Sequence, residues 1–170
     1  MEDYFDFYWA NDRLYCLSAD SDMRNFEELD NNIKNEIFKN FLFRPFISIF
    51  HNMFELRKSN DPRIKHSYYK WLDDEYSDFM IMIMKCLKPR RYLGGSVIYE
   101  ELEEVLEITF VMSGTFHCGY EINKIKKLKI QLPPGMSFGG FNCCFLKRSM
   151  FIYKCKKEMR GYALQRKDWK

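Results

Sequence analysis

The spacing of apolar residues changes near Pro89, and this change limits the folds that the chain can adopt. Before it, apolar residues recur at every fourth position, as on one side of a helix: Leu29, Ile33, Ile37 and Phe41. After it, they alternate with polar residues, as in half-buried strands: Ile108, Phe110 and Met112, then Leu128, Ile130 and Leu132. Helices followed by a run of short strands predict an α+β domain whose β part is a sandwich or a small barrel.

The first part of the chain predicts three helices. One covers residues 29–43, with Asp30 as its N-cap, and Pro45 ends or kinks it because the residue before a proline avoids the helical conformation. A second helix runs from about 46 to 56, and a third covers roughly 68–87. Their apolar sides are rich in Phe and Met and exceed what one face of a β domain needs. We therefore expect part of this surface to contact other subunits.

The second part predicts short strands separated by turns. Beyond the two alternating segments, strands are predicted at residues 150–153 and 162–164. Turn signals lie at five places: Gly94-Gly95, Ser113-Gly114, Pro133-Pro134-Gly135, Gly139-Gly140 and Gly161. The chain is therefore predicted to divide into an acidic, aromatic arm (1–26), a helical linker (27–87) and a β domain (88–170).

The composition fits a globular protein, with 46% hydrophobic and 30% charged residues. No apolar run reaches the roughly 18–20 residues of a membrane span, and the acidic first residues differ from a signal peptide. We expect a soluble chain, either on its own or as the soluble part of a membrane protein. The six cysteines show no CxxC motif, which predicts reduced thiols and a cytoplasmic location.

The sequence carries no signature of a catalytic or metal centre. It has no nucleophile elbow and no P-loop, and its three histidines lack the spacing of a metal site. An enzyme is therefore not predicted, and neither is a metal or cofactor. Basic residues are concentrated between positions 147 and 170, where they favour a solvated strand face over a nucleic-acid site.

Five short motifs of the β domain follow one another: Gly95-Ser-Val-Ile98, Glu107-Ile-Thr-Phe-Val-Met-Ser-Gly114, Gly135-Met-Ser-Phe-Gly139, Arg148-Ser149 and Tyr162-Ala-Leu164. In this order they resemble the cyclic nucleotide-binding domain family. The resemblance implies an antiparallel β-roll of the jelly-roll type, with cAMP or cGMP as the ligand. It also implies a phosphate-binding cassette made of Gly139, Gly140, Phe141, Asn142, Arg148 and Ser149. There, backbone N–H groups at a helix start and the arginine would bind the phosphate.

Two further segments resemble the linker before this domain in cyclic-nucleotide-gated, hyperpolarisation-activated and ether-à-go-go channels. They read Leu29-Asp-Asn-Asn-Ile33-Lys-Asn-Glu36-Ile37 and Leu87-Lys-Pro-Arg-Arg-Tyr-Leu-Gly-Gly-Ser-Val-Ile98. The resemblance implies an N-terminal helical linker that forms a ring around the pore axis. A tetramer, assembled through the Phe- and Met-rich helices, is the corresponding expectation.

The sequence departs from the family pattern at the proposed ligand site. Gly140 stands where ligand-binding members carry a glutamate that holds the ribose 2′-hydroxyl, and the chain stops at Lys170, before the helices that close over the nucleotide. Two functions stay open. One is a cytoplasmic regulatory module of a potassium or other cation channel, with a working or a degenerate nucleotide site. The other is an interaction protein that keeps the β-roll without nucleotide binding and docks within a larger assembly.

Overall fold

Residues 2–54 and 74–169 are described by a computed structural model of the protein. Their helices and strands fall into two units. Residues 13–85 form one, which we call the helical unit, and residues 1–12 with 86–170 form the other, which we call the β unit. Each unit has its own buried residues and is described by itself.

The helical unit begins with a 3₁₀ turn and continues through four α-helices and one π-helical turn. The elements are the 3₁₀ turn Tyr15–Leu17, α2 (Asp20–Glu27), α3 (Asn31–Ile37), the π-helical turn Phe38–Leu42, α4 (Arg44–Phe54) and α5 (Asp74–Cys86). Helix α1 (Glu2–Asn11) precedes them in the chain and belongs to the β unit. Over the described ranges, 2–54 and 74–169, the helices are all too short or too polar to cross a membrane.

The predicted helix at 29–43 is present, and its predicted cap is confirmed. The Asp30 side chain accepts a hydrogen bond from the backbone N–H of Asn32 at 2.8 Å. The prediction that Pro45 ends or kinks this helix is refined by the structure. The break comes earlier, at Phe43, and Pro45 lies in the first turn of α4, where its missing N–H leaves no hydrogen bond unmade. Residues 55–73, which include parts of the second and third predicted helices, lie outside the described residues.

Phenylalanines form the buried centre of the helical unit. The backbone N–H of Phe43 donates to the carbonyl of Phe38, five residues earlier, at 2.9 Å. This wider turn stacks the two rings in parallel, with centroids 6.0 Å apart, and Phe26 meets Phe38 edge-on at 5.8 Å. Phe46 and Phe50, one turn apart in α4, are also buried, with ring centroids 5.0 Å apart.

The β unit contains eight strands and one short helix between the sixth and seventh strands. The strands are β1 (Leu87–Tyr92), β2 (Val97–Tyr99), β3 (Glu107–Ser113), β4 (Phe116–Ile122), β5 (Ile125–Leu132), β6 (Ser137–Phe138), β7 (Ile152–Cys155) and β8 (Met159–Gln165). The helix is α6 (Gly140–Phe145), and a 3₁₀ turn, Arg166–Asp168, follows β8. The strands form two antiparallel sheets, in the orders β1-β8-β3-β6 and β2-β7-β4-β5. This architecture confirms the predicted α+β fold with an antiparallel β-roll after helices.

Aromatic side chains join the two sheets inside the roll. Phe138, on the first sheet, stacks on Tyr153 of the second with ring centroids 5.0 Å apart. Phe116 and Tyr99, both from the second sheet and both buried, complete the cluster around Phe138. Aromatic contacts of this kind stabilise a core beyond the area that they bury.

Helix α1 is held against the strands by its aromatic and polar groups. The guanidinium groups of Arg91 and Arg160 lie 5.8 and 5.9 Å from the buried ring of Phe7. The Tyr162 hydroxyl donates a hydrogen bond to the carbonyl of Asn11 at 3.3 Å. Phe7 of the predicted acidic, aromatic arm thus packs on the strands of the β unit, whereas the predicted domain bounds at 26 and 87 stay predictions.

Near the strands, one local prediction is confirmed and one is wrong. The helix predicted at roughly 68–87 is confirmed in its described part by α5, which ends at Cys86; Leu87 begins β1, an edge strand that also contains Pro89. Edge strands tolerate proline because one row of their N–H groups has no partner in the sheet. Gly161 was expected in a turn, but it lies inside β8, opposite Val111. A Cβ atom there would lie 2.0 Å from the carbonyl oxygen of Phe110, so the glycine marks a close backbone approach.

Replacing Gly161 by alanine should destabilise the β unit by about 1–3 kcal/mol or more, because the added carbon forces β3 and β8 apart. Gly140→Ala is the matched control: a Cβ there has open space around it, and alanine favours the first turn of α6 by up to about 1 kcal/mol. The measurement is urea unfolding of both variants. Equal stability of the two variants would contradict the close approach.

Candidate phosphate cassette

The predicted cassette lies where the chain leaves β6 and enters α6. Gly139 precedes the helix with a left-handed backbone, φ 87°. A Cβ at this position would lie 2.5 Å from the carbonyl oxygen of Glu107 and 3.1 Å from a methyl group of Val105. Both the dihedral angle and the space therefore require glycine at 139, whatever the site binds.

Asn142 fixes the loop that leaves the helix. Its side chain is buried, and Nδ2 donates to the carbonyl oxygen of Arg148 at 2.8 Å. The backbone carbonyl of Asn142 accepts from the N–H of Lys147 at 3.0 Å, and the chain turns through Leu146 with φ 53°. Asn142 is thus placed within the cassette, with its amide bound to the chain.

Arg148 is tied to the segment that precedes β3. Its Nη1 donates to the carbonyl oxygen of Leu102 at 3.0 Å, and the side chain is otherwise exposed. Backbone hydrogen bonds hold the same two segments together: Leu102 N–H donates to Ser149 O, and Ser149 N–H donates to Glu103 O, both at 2.8 Å. The guanidinium is therefore positioned beside the cassette by the backbone around it.

Ser149 is deeply buried, with 1% of its surface exposed. Its hydroxyl donates to the carbonyl of Phe151 at 2.6 Å and accepts from the Phe151 N–H at 3.4 Å. These bonds form a local turn at the start of the strand that follows. The hydroxyl predicted to bind phosphate thus has its partners within the chain.

The remaining two predicted residues present no polar side chain. Gly140 begins α6, and nothing lies within 4 Å of the position that a Cβ would take. Phe141 is 57% exposed, and its ring meets the exposed ring of Phe145 at 4.9 Å. The outer face of the cassette is therefore apolar, and it continues through Leu146 and Met150, which are also exposed.

A half-buried ionic cluster beside the cassette escaped the sequence analysis. The Glu107 carboxylate accepts hydrogen bonds from Arg90 Nε at 3.0 and 3.1 Å and from Arg90 Nη2 at 2.6 Å. It also accepts one from the Tyr92 hydroxyl at 3.1 Å, and burial, followed by the charge of Glu107, raises the pKa of Tyr92. Only the strand order brings these residues together, so no spacing in the sequence reveals them. The carboxylate of this cluster belongs to Glu107, and the backbone carbonyl of the same residue lies against Gly139.

The titratable groups inside the roll are kept neutral. Burial raises the pKa of the Tyr153 hydroxyl to about 12, and burial raises the pKa of the Cys143 thiol to about 11. A thiol with a raised pKa is a poor nucleophile. Among the residues that the structure describes, no group of three or more His, Cys, Asp or Glu side chains is placed to hold a metal ion.

The chain has the fold of cyclic nucleotide-binding domains in solved structures. The regulatory domain of Toxoplasma gondii PKA, solved with cAMP, gives a TM-score of 0.54 at 12% identity, over 84% of this chain and 45% of its own. The PKAR domain CBD2, solved with Sp-2Cl-cAMPS, gives a TM-score of 0.50 at 20% identity, over 81% of this chain and 75% of its own. This chain thus spans less than half of the Toxoplasma regulatory domain. No protein-family profile matches the sequence, and no curated protein is significantly similar to it.

Replacing Asn142 by alanine should lower the free energy of unfolding by about 1–3 kcal/mol, because the hydrogen bond between its buried amide and the carbonyl of Arg148 is lost. Lys147→Ala, at an exposed neighbouring position, should change it by no more than about 0.5 kcal/mol. Urea unfolding followed by fluorescence measures both values. An Asn142→Ala variant as stable as Lys147→Ala would show that the amide does not hold the loop.

Proposed function

We propose that this chain is a cytoplasmic regulatory module of a cation channel that keeps the cyclic nucleotide-binding fold and has lost tight nucleotide binding. The observation that carries the proposal is that the polar side chains of the cassette already have hydrogen-bond partners. The side chains of Asn142, Arg148 and Ser149 all form hydrogen bonds within the chain. In this proposal the module acts by docking to proteins and carries no enzymatic activity.

The cassette offers few groups for a ribose phosphate. A ligand reaches the Ser149 hydroxyl only if the bond to Phe151 breaks, since the side chain is buried. At position 140 no acceptor is present for a ribose hydroxyl. A lost hydrogen bond to a charged group weakens binding by about 1.5–3 kcal/mol, which is roughly one to two orders of magnitude in Kd.

Protein docking is supported by the helical unit. It exposes large apolar side chains, among them Phe41 at 75% and Met82 at 56%. Exposed apolar surface of this kind is typical of contacts with other protein chains. The channel assignment and the tetramer rest on the resemblance of residues 29–37 and 87–98 to channel linkers. If the chain serves another assembly, the same exposed side chains are the proposed docking surface.

A nucleotide sensor is the second candidate function, and one observation favours it. The Arg148 guanidinium is exposed, and the Arg148 carbonyl accepts a hydrogen bond from the side chain of Asn142 in α6. In such a sensor an arginine in this loop would pair with the phosphate. A solved regulatory domain with the same fold contains cAMP. In this candidate, ligand binding to one of two states of the module would regulate its partner.

The test is calorimetric titration of the full chain with cAMP and with cGMP. We expect no saturable heat up to about 1 mM ligand, where the binding free energy is only about −4 kcal/mol. Saturable binding that Arg148→Ala abolishes would overturn the proposal and establish the sensor.

Lys147→Ala is the matched control, since it removes the neighbouring exposed charge without touching the Leu102 carbonyl. A loss of binding in both variants would indicate a general electrostatic effect, and a loss in Arg148→Ala alone would indicate a phosphate site. Light scattering on the same sample tests the tetramer expectation.

A further inference from the structure

The hairpin of β4 and β5 ends in a two-residue turn with an exposed aliphatic pair. Ile122 and Ile125 face each other across the strands and are 40% and 63% exposed. The strand register shifts between Cys118 and Tyr120, and beyond this bulge every residue from 120 to 127 is exposed. We call residues 120–127 the hairpin tip.

The turn contains a lysine where the backbone favours glycine. Asn123 and Lys124 both have positive φ angles, 51° and 63°. A two-residue hairpin turn of this kind is best filled by Asn-Gly, because the left-handed conformation crowds the Cβ of other residues. The turn thus carries a long, exposed cationic side chain at a cost in backbone energy. The energetic cost of a lysine in this turn points to a role for the positive charge of Lys124.

The hairpin carries lysines at 124, 126, 127 and 129 and one acid, Glu121. A second carboxylate, that of Glu101, contacts the hairpin by accepting a hydrogen bond from the Glu121 N–H at 2.9 Å. Lys126 forms an ion pair with Glu100. In the part of the chain that the structure describes, Lys124, Lys127 and Lys129 form no ion pair. Two cations without an ion-pair partner, Lys124 and Lys127, therefore lie within two residues of the exposed isoleucine pair.

We propose that the hairpin tip docks on an anionic lipid surface. The isoleucines would enter the boundary between headgroups and acyl chains, while the lysines stay at the level of the headgroup phosphates. A convex two-residue turn offers no groove for a peptide, and RNA offers no apolar layer for the isoleucines. A bilayer receives both kinds of side chain at once, and the docking does not depend on nucleotide binding by the cassette.

The test is co-sedimentation of the full chain with sucrose-loaded vesicles of phosphatidylcholine containing about 30% phosphatidylserine, in about 0.1 M salt. We expect binding to these vesicles, weaker binding in higher salt, and none to pure phosphatidylcholine. Lys124→Gln with Lys127→Gln should lower the partition coefficient about 25-fold, since each lysine near an anionic surface contributes about fivefold.

Lys124→Gly separates the proposed role from folding. It removes one charge and relieves the turn, so the melting temperature should be no lower than that of the unaltered chain while vesicle binding falls about fivefold. Ile122→Ser with Ile125→Ser should weaken binding by more than about tenfold with all lysines retained.

The matched control is Lys156→Gln with Lys157→Gln. Cys155 pairs with Phe116 at the start of β4, so residues 156 and 157 lie at the end of the sheet away from the hairpin tip. This control should bind vesicles like the unaltered chain. An equal loss in the control, no binding to the anionic vesicles, or tip-dependent binding to RNA or an acidic peptide alone would each overturn the proposal.

Discussion

Close backbone contact on strand β3 is the constraint on which the rest of the β unit depends. On one side, Gly161 of β8 brings its backbone against the carbonyl of Phe110. At the start of the strand, Gly139 brings the cassette against the carbonyl of Glu107. A side chain at either position would meet backbone atoms that cannot move aside, so the position of the cassette is set by the packing of the roll.

The structure therefore explains how a chain can keep the cyclic nucleotide-binding fold while its cassette serves the chain itself. Asn142 closes the loop after α6, and Ser149 caps the turn before β7. These polar groups stabilise the loop by hydrogen bonds within the chain. A module built in this way can retain its shape as a docking unit, with its functional surfaces elsewhere, on the exposed apolar residues of the helical unit and on the hairpin tip.

Interactions between residues close in sequence made much of the fold predictable. Contacts between residues distant in sequence account for the errors. The spacing of apolar residues indicated α3, α4 and α5 and the strands β3, β5 and β8, and the Asp30 cap was found from residue type alone. Gly161 was misassigned because a glycine in a turn and a glycine at a close approach look identical in sequence. The role of Glu107 depends on the strand order that brings β1 near β3, and a single sequence carries no record of that order. The cassette residues themselves follow from the family resemblance, and their ligand stays a prediction.

The central claim is that the cassette is a structural part of the roll and not a working nucleotide site. The most direct measurement follows the backbone amide signals of Gly139 and Gly140 by NMR while cAMP is added to about 1 mM. Both amides belong to the predicted cassette, at the start of α6, and their signals respond to a bound ligand even when binding releases no measurable heat. The account predicts that the two signals stay in place. A progressive, saturable shift of both would contradict it and show that the cassette binds the nucleotide.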